Sequence, residues 1–268
     1  MRTSESLLIE LVKAYENVGE DSNFMGFSSN SITFFDDYPE DSRKATEWWN
    51  SKGGNSPEGD YQQHLKPEFY SLVDCMIQIL HPRFDRGIQT DTKQCIGNPN
   101  SQTEKWRYWP YYWSALHYAK SETSNKSVEI QFFMNLTNSG LRVGIYFGKH
   151  QSDSGQWNGN IKRFSENQDD IFSEVIKLIT DKEYMLVKTT SSDHATGNVG
   201  TIFHPQNAKE LYALVVEQSQ FTLVRTIPKT RLQTRDVVVD ILEIFSETRT
   251  LYEALESRKK INQRRLLT

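Results

Sequence analysis

Cysteine is nearly absent: Cys75 and Cys95 are the only two in 268 residues. They allow one bridge at most and no disulfide framework. No apolar run approaches the ~18 residues a membrane-spanning helix requires. The opening stretch, MRTSESLLIELVKAYE, has neither a long apolar segment nor a small-residue cleavage site, so it does not read as a secretory signal. Cytoplasm is the compartment these absences imply, and the sequons at Asn125 and Asn135 then carry no glycan. Histidine is scarce and scattered: His64, His81, His117, His150, His194 and His204 pair neither at i,i+4 nor with a cysteine at zinc spacing. A glycine-rich phosphate loop is missing, no Ser or Cys sits in a nucleophile elbow, and the carboxylates form no PD-(D/E)xK-type nuclease pattern. No catalytic residue, metal site or cofactor is expected, and the chain reads first as a recognition module. Neither sign of charge dominates: 31 basic against 35 acidic residues leave a net charge of −4. A nucleic-acid partner would therefore have to be held by local basic clusters.

What the chain does have is rings. Aromatics make up 12% of it, with 6 Trp, 12 Tyr and 14 Phe. Rings bury large areas and can compensate for modest aliphatic content. Leu7, Leu8, Leu11, Val12, Tyr15 and Val18 recur at helical spacing and predict a helix over 4–18. Residues 19–62 are rich in Gly, Ser, Asn and Asp, with aromatic points at Phe34, Phe35, Trp48 and Trp49 and a short helix over 40–51. Pro67 opens a helix that ends at His81 and Pro82, because a proline in the first turn forfeits no hydrogen bond. Residues 84–105 read as polar and irregular. Strands are expected at 128–136 and 141–148 around the turn signal Asn138-Ser139-Gly140, and again at 184–189, 199–203 and 221–227. Helices are expected from Asp169 to Ile179, over 208–218 and over 234–257. The expectation is one α+β domain over 1–268: an antiparallel sheet flanked by helices, with a helical and irregular portion at 1–65 and the sheet-containing core at 66–268.

The densest feature is the run Lys105, Trp106, Arg107, Tyr108, Trp109, Pro110, Tyr111, Tyr112 and Trp113, in which two cations interleave with six rings. Bases stack on such rings for roughly 1–3 kcal/mol each, and adjacent cations hold phosphates. A buried strand would use the same rings as core, with alternate residues on opposite faces. The strongest charge cluster closes the chain: Arg258, Lys259, Lys260, Arg264 and Arg265. It suits phosphate contacts whose strength falls as salt rises, or a solvated helix end.

Three resemblances follow from these residues. The run Tyr146, Phe147, Gly148, Lys149, His150 and Gln151 resembles the second half of the GIY-YIG nuclease motif, with Arg163 and Glu174 as the accompanying polar residues and Phe132 and Phe133 where the upstream Tyr would stand. Trp109 to Trp157 resembles the N-terminal specificity domain of McrB-type restriction proteins, through Trp109-Pro110-Tyr111-Tyr112-Trp113, the pair Phe132 and Phe133, and Leu141 to Gly148. That resemblance implies binding of methylated DNA with the modified cytosine flipped between rings. Trp113 then stands at the stacking Trp, and Glu129 or Ile130 stands where the partner Tyr would be. Residues 34–255 also resemble a widespread bacterial family known only as a domain of unknown function, through Glu47-Trp48-Trp49, Arg107-Tyr108-Trp109-Pro110-Tyr111, and His204-Pro205 followed by a helix, a short strand and a final helix. The leading expectation is a specificity module for modified nucleic acid, most readily DNA, working with other subunits of a restriction or defence complex and not with a membrane. A GIY-YIG-like nuclease and a non-catalytic protein adaptor are the alternatives. Lys105, Trp106, Arg107, Tyr108, Trp109, Tyr111, Tyr112, Trp113, Tyr146, Lys149, His150 and the terminal cations are the expected contacts.

Overall fold

A computed structural model describes residues 3–18, 24–80, 88–93, 108, 110–118, 130–148, 154–189, 193 and 198–255. The fold is α+β. Seven strands form one sheet in the order β1-β2-β3-β4-β7-β5-β6, and every pairing is antiparallel. They are β1 Ile88–Lys93, β2 Tyr111–Tyr118, β3 Ile130–Thr137, β4 Gly140–Gly148, β5 Met185–Lys188, β6 Thr201–Ile202 and β7 Gln220–Ile227. The turn signal at 138–140 does join β3 to β4, in register Thr137 to Gly140. Gly140 has φ 124°, and a Cβ there would lie 2.4 Å from the Ile227 carbonyl oxygen, so the tight approach of β7 needs glycine.

Alternation along the central strands sorts their side chains into two faces. Tyr112 and Leu116, Phe132, Met134 and Leu136, Leu141, Val143, Ile145 and Phe147, and Phe221 and Leu223 belong to one continuous buried cluster. Helix α8 (Asp236–Leu255) lies against β3, β4 and β7 on that side. Val238, Ile241, Leu242, Phe245 and Leu255 bury its inner stripe, and Phe245 meets Phe132 edge-on at 5.2 Å. Helices α5 (Ser154–Glu166), α6 (Gln168–Asp181) and α7 (Ala208–Gln218) complete the layer. Phe147 is ringed by Trp157 at 5.2 Å, Phe164 at 6.2 Å and Phe221 at 5.5 Å. One charged knot crosses this layer. Arg225 of β7 binds Glu243 at 2.6 Å and Glu247 at 3.2 Å, while Lys182 and the Tyr184 hydroxyl also reach Glu247, at 3.0 and 2.8 Å.

The N-terminal portion is continuous with this core, since the same cluster runs from Leu7 to Leu255. Helix α1 (Ser4–Glu16) is capped by the Thr3 hydroxyl and packs on α8 and on α4 (Lys66–Leu80). Between them come α2 (Ser29–Ile32) and α3 (Ala45–Ser51), a 3-10 turn over Ser42–Lys44, and a π-helical turn over Tyr61–Leu65 that leads into α4. The separated aromatic points meet here: Phe34 sits edge-on to Phe35 at 5.1 Å and to Trp48 at 5.4 Å, and Trp49 packs on Tyr61 at 4.8 Å. The N- and C-terminal parts are pinned together by Phe27 N–H donating to the Leu232 carbonyl at 2.7 Å and by Lys229 on Asp36, while the Arg231–Asp240 pair at 2.6 Å ties the segment before α8 to that helix.

Several elements differ from the pattern reading, among them β2, which is not one of the expected strands. Strand β1 lies inside the stretch read as irregular: IQTDTK has no apolar alternation, and among the described residues β1 is an edge strand, paired to β2. Helix α5 was not anticipated, although Trp157, Ile161 and Phe164 follow helical spacing; its glycines and asparagines mask the signal. Strand β6 is two residues long where five were expected. Cys75 is a buried free thiol, and Cys95 lies outside the described residues. Among the described residues no helix is long and apolar enough to cross a membrane.

Candidate functional site

The second face of the sheet has a different character. Its residues are Tyr111, Trp113 and Ala115 on β2, Gln131, Phe133, Asn135 and Thr137 on β3, Arg142, Gly144 and Tyr146 on β4, Thr222 and Val224 on β7, and Met185 and Val187 on β5. Ala115, Phe133, Val187 and Val224 form a small apolar cluster of their own, with Trp113, Tyr146, Met185 and Val199 against it. Gln131, Asn135 and Arg142 are buried beside that cluster, each at most 4% exposed. Polar groups buried this deeply cost free energy unless they are satisfied. Their presence on this face calls for a reason other than stability.

Register supplies the geometry. Trp113 pairs with Asn135 and Asn135 pairs with Arg142, so an indole, an amide and a guanidinium stand in one row across three strands. Cross-strand partners hold their Cβ atoms about 4.5–5.5 Å apart. A cavity of about 150 Å³ opens over this row, and Tyr111, Trp113, Phe133, Asn135, Arg142 and Tyr146 contribute to its wall together with Val187, Thr189, Thr222 and Val224. Tyr111, Trp113, Tyr146, Thr189 and Thr222 are half-buried, whereas Phe133, Asn135, Arg142, Val187 and Val224 are buried. The half-buried rings therefore stand at the mouth and the polar pair at the floor.

Each wall residue is held by its surroundings. A Cβ at Gly148 would lie 2.2 Å from the Tyr146 hydroxyl, so the phenol lies over a position that only glycine leaves open. Arg142 Nη2 donates to the Asn198 carbonyl at 2.6 Å and to Ser139 Oγ at 3.3 Å. Thr189 Oγ1 donates to the Val199 carbonyl at 2.7 Å, which fixes the cavity's far side. Burial lowers the Arg142 pKa while the Asp193 carboxylate opposes that shift, and an arginine in such a place stays cationic at neutral pH. Burial pushes the Tyr111 phenol up, reinforced by Tyr38, so it is a neutral hydroxyl. Asn135 Oδ1 is buried and has no hydrogen-bond partner among the described residues.

The aromatic run of the sequence is split by this arrangement. Tyr111 and Trp113 face the cavity, and Tyr146 joins them from β4. Tyr112 and Tyr108 are core residues and are not available to a partner. Tyr112 is fully buried and edge-on to Phe69 at 4.5 Å, and Tyr108 stacks on Trp49 at 4.8 Å and 13° while its carbonyl accepts from the Tyr38 hydroxyl. Lys105, Trp106, Arg107, Trp109, Lys149, His150, Arg258, Lys259, Lys260, Arg264 and Arg265 lie outside the described residues. The nuclease constellation is not assembled. Arg163 on α5 donates to the carbonyls of Ala254 and Glu253, and Glu174 sits on α6. Both helices belong to the layer on the Phe147 side of the sheet, opposite Tyr146. Among the described residues no group of three or more His, Cys, Asp or Glu is placed to hold a metal ion.

Phe133, Asn135, Arg142, Thr189 and Thr222 escaped sequence reading. A signal for two of them existed: in IQFFMNLT and LRVGIYFG the alternate positions are strictly apolar, which sends Asn135 and Arg142 to the other face. Ile130, which stands where a second stacking ring would be sought by resemblance, is buried in the main core. Tyr111, Phe133 and Tyr146 are the rings that share the cavity with Trp113. No protein-family model matches the chain, and no curated protein matches it.

Proposed function

We propose that the chain is a nucleic-acid-binding specificity module that takes one unstacked base into the cavity on the second face of the sheet. The observation that carries this reading is the composition of the wall: Tyr111, Trp113, Phe133 and Tyr146 supply rings, and Asn135 and Arg142 supply a polar floor. Its volume of about 150 Å³ matches that of a cavity known to admit a single benzene-sized ring. Aromatic walls with a few convergent polar groups are what base-reading pockets use, because the rings take the base faces and the polar groups take its edge. An adaptor would instead present an apolar patch. Among the described residues the exposed large hydrophobics are Ile9 on α1, Met25 between α1 and α2, Ile202 on β6 and Val216 on α7.

The narrower form of the proposal is that the base is a modified one in DNA and that the module serves a restriction or defence complex. Fluorescence-anisotropy titration of methylated, unmethylated and single-stranded oligonucleotides at two salt concentrations tests both forms. Binding that is stronger for one class, and whose preference is lost in Trp113→Ala, supports the proposal. No binding to any oligonucleotide at low salt refutes it and brings the adaptor reading forward, to be followed by co-purification. The terminal cations from Arg258 to Arg265 should act on all sequences alike, with the salt slope flattening by about one unit per lost phosphate contact.

A further inference from the structure

Asn135 has no structural task that its type explains. It is 4% exposed, it lies in the middle of β3, and its Oδ1 accepts no hydrogen bond among the described residues. A buried acceptor left in this state is a standing cost, and an apolar residue of similar shape would remove it. In register beside it stands Arg142, buried, cationic, and anchored through Nη2 to Asn198 and Ser139. On its other side stands the Trp113 ring. A ring that slid over Trp113 into the cavity would bring its edge to an acceptor, with a fixed positive charge next to that acceptor.

We infer that Asn135 is the specificity-determining residue of this pocket, and that its Oδ1 receives an N–H from the edge of the entering base while the adjoining electron-rich ring atom lies toward Arg142. The inference rests on the base-binding reading and deepens it. An acceptor beside a positive charge favours an edge on which a donor neighbours an acceptor. Lactam and amidine edges of natural bases have that pattern; a plain aromatic ring, a carboxylate or a protonated ring does not. A site built to bond an N–H rejects an isostere that lacks it far more strongly than a hydrophobic slot rejects a change of shape, because the buried polar group is then left unpaired.

The test compares each natural base with its shape-matched isostere in short single strands whose one base is flanked by abasic sites: thymine against 2,4-difluorotoluene, and adenine against 4-methylbenzimidazole. Anisotropy titrations of the full chain give the affinities. The inference expects the best natural base to bind roughly tenfold to a hundredfold tighter than its isostere, and expects Asn135→Leu to erase that ratio while the strand still binds. Equal binding of base and isostere, both tighter than a fully abasic strand, would mean that stacking alone holds the base and that a water occupies the Asn135 acceptor. That result overturns the inference and leaves the base reading standing. No gain over the fully abasic strand would instead defeat the base reading itself. If Asn135→Leu fails to fold, equal binding of base and isostere by the unaltered protein still overturns the inference.

Discussion

The two faces of the central sheet are made by the same strands, and they differ by one position in every pair. Toward α8 the residues are Phe132, Met134, Leu136, Val143, Ile145 and Phe147, all packed into one cluster. On the other side the same strands present Gln131 and, around a cavity, Phe133, Asn135, Arg142 and Tyr146. Both faces are largely buried, so burial alone does not tell them apart. What separates them is the cavity over the second face and the polar side chains that line it. The first face lowers the free energy by removing apolar area from water. The second keeps an amide and a guanidinium away from water and leaves a space above them. That difference makes the second face the candidate site.

The largest expected effect is on the first face. Phe147→Ala should cost about 3–5 kcal/mol of unfolding free energy, because three rings close around the space it vacates. Urea denaturation followed by circular dichroism measures this. A loss much below that range would mean that the α5 layer relaxes into the gap and that the face is less rigid than its packing suggests. Next comes the charged knot. Glu247→Ala removes a partner from Arg225, which keeps Glu243, from the half-exposed Lys182 and from the Tyr184 hydroxyl, and should cost about 1–3 kcal/mol. The same denaturation series reads it.

Effects on the second face should appear in binding and not in stability. Trp113→Ala should weaken oligonucleotide binding by about 1–3 kcal/mol while lowering stability by less than Phe147→Ala does, as expected for a half-buried ring at the rim of a cavity. Equal losses in both measurements would erase the distinction between the faces. Asn135→Leu sharpens it further. Removing an unbonded acceptor should leave the denaturation midpoint unchanged or raise stability by up to about 1 kcal/mol, even as base preference disappears.

The smallest effect is a dependence on pH far from the site. At Asp37 burial raises the carboxyl pKa, but hydrogen bonds from Lys52 and Trp48 outweigh it, so the net shift is downward from 3.8. A depressed carboxyl contributes stability that is fully present above its unfolded value and is lost as pH falls through its folded one. Urea midpoints measured from pH 5 down to pH 2 should therefore fall less steeply below about pH 4 in Asp37→Asn than in the unaltered chain. Identical slopes would show that the hydrogen bonds to Lys52 and Trp48 add nothing in solution.

How much of this was legible in residues depends on whether the signal was local. The hairpin at 138–140 and the helices over 4–16, 66–80, 208–218 and 236–255 follow from periodicity and turn chemistry, and they were read close to their observed limits. Strand β1 was hidden because its sequence, IQTDTK, carries no apolar alternation. The aromatic run was legible as unusual but not as divided: Tyr112 and Trp113 differ in fate only because β2 pleats, and which of them meets α4 and which the cavity is set by the layer that packs on top.

The sequence by itself determined the class of the fold and the two-residue alternation in β3 and β4, because propensity, periodicity and turn residues act between neighbours in the chain. Only the tertiary structure decided that Trp113, Asn135 and Arg142 form one row. Their side chains come from three strands, and the register that aligns them is fixed by where the hydrophobic face of each strand meets the helical layer, α8 for β3 and β4 and α4 for β2. A slip of one residue in any strand would send its polar residue into the core and break the row, so the site exists only as a consequence of how the opposite face packs.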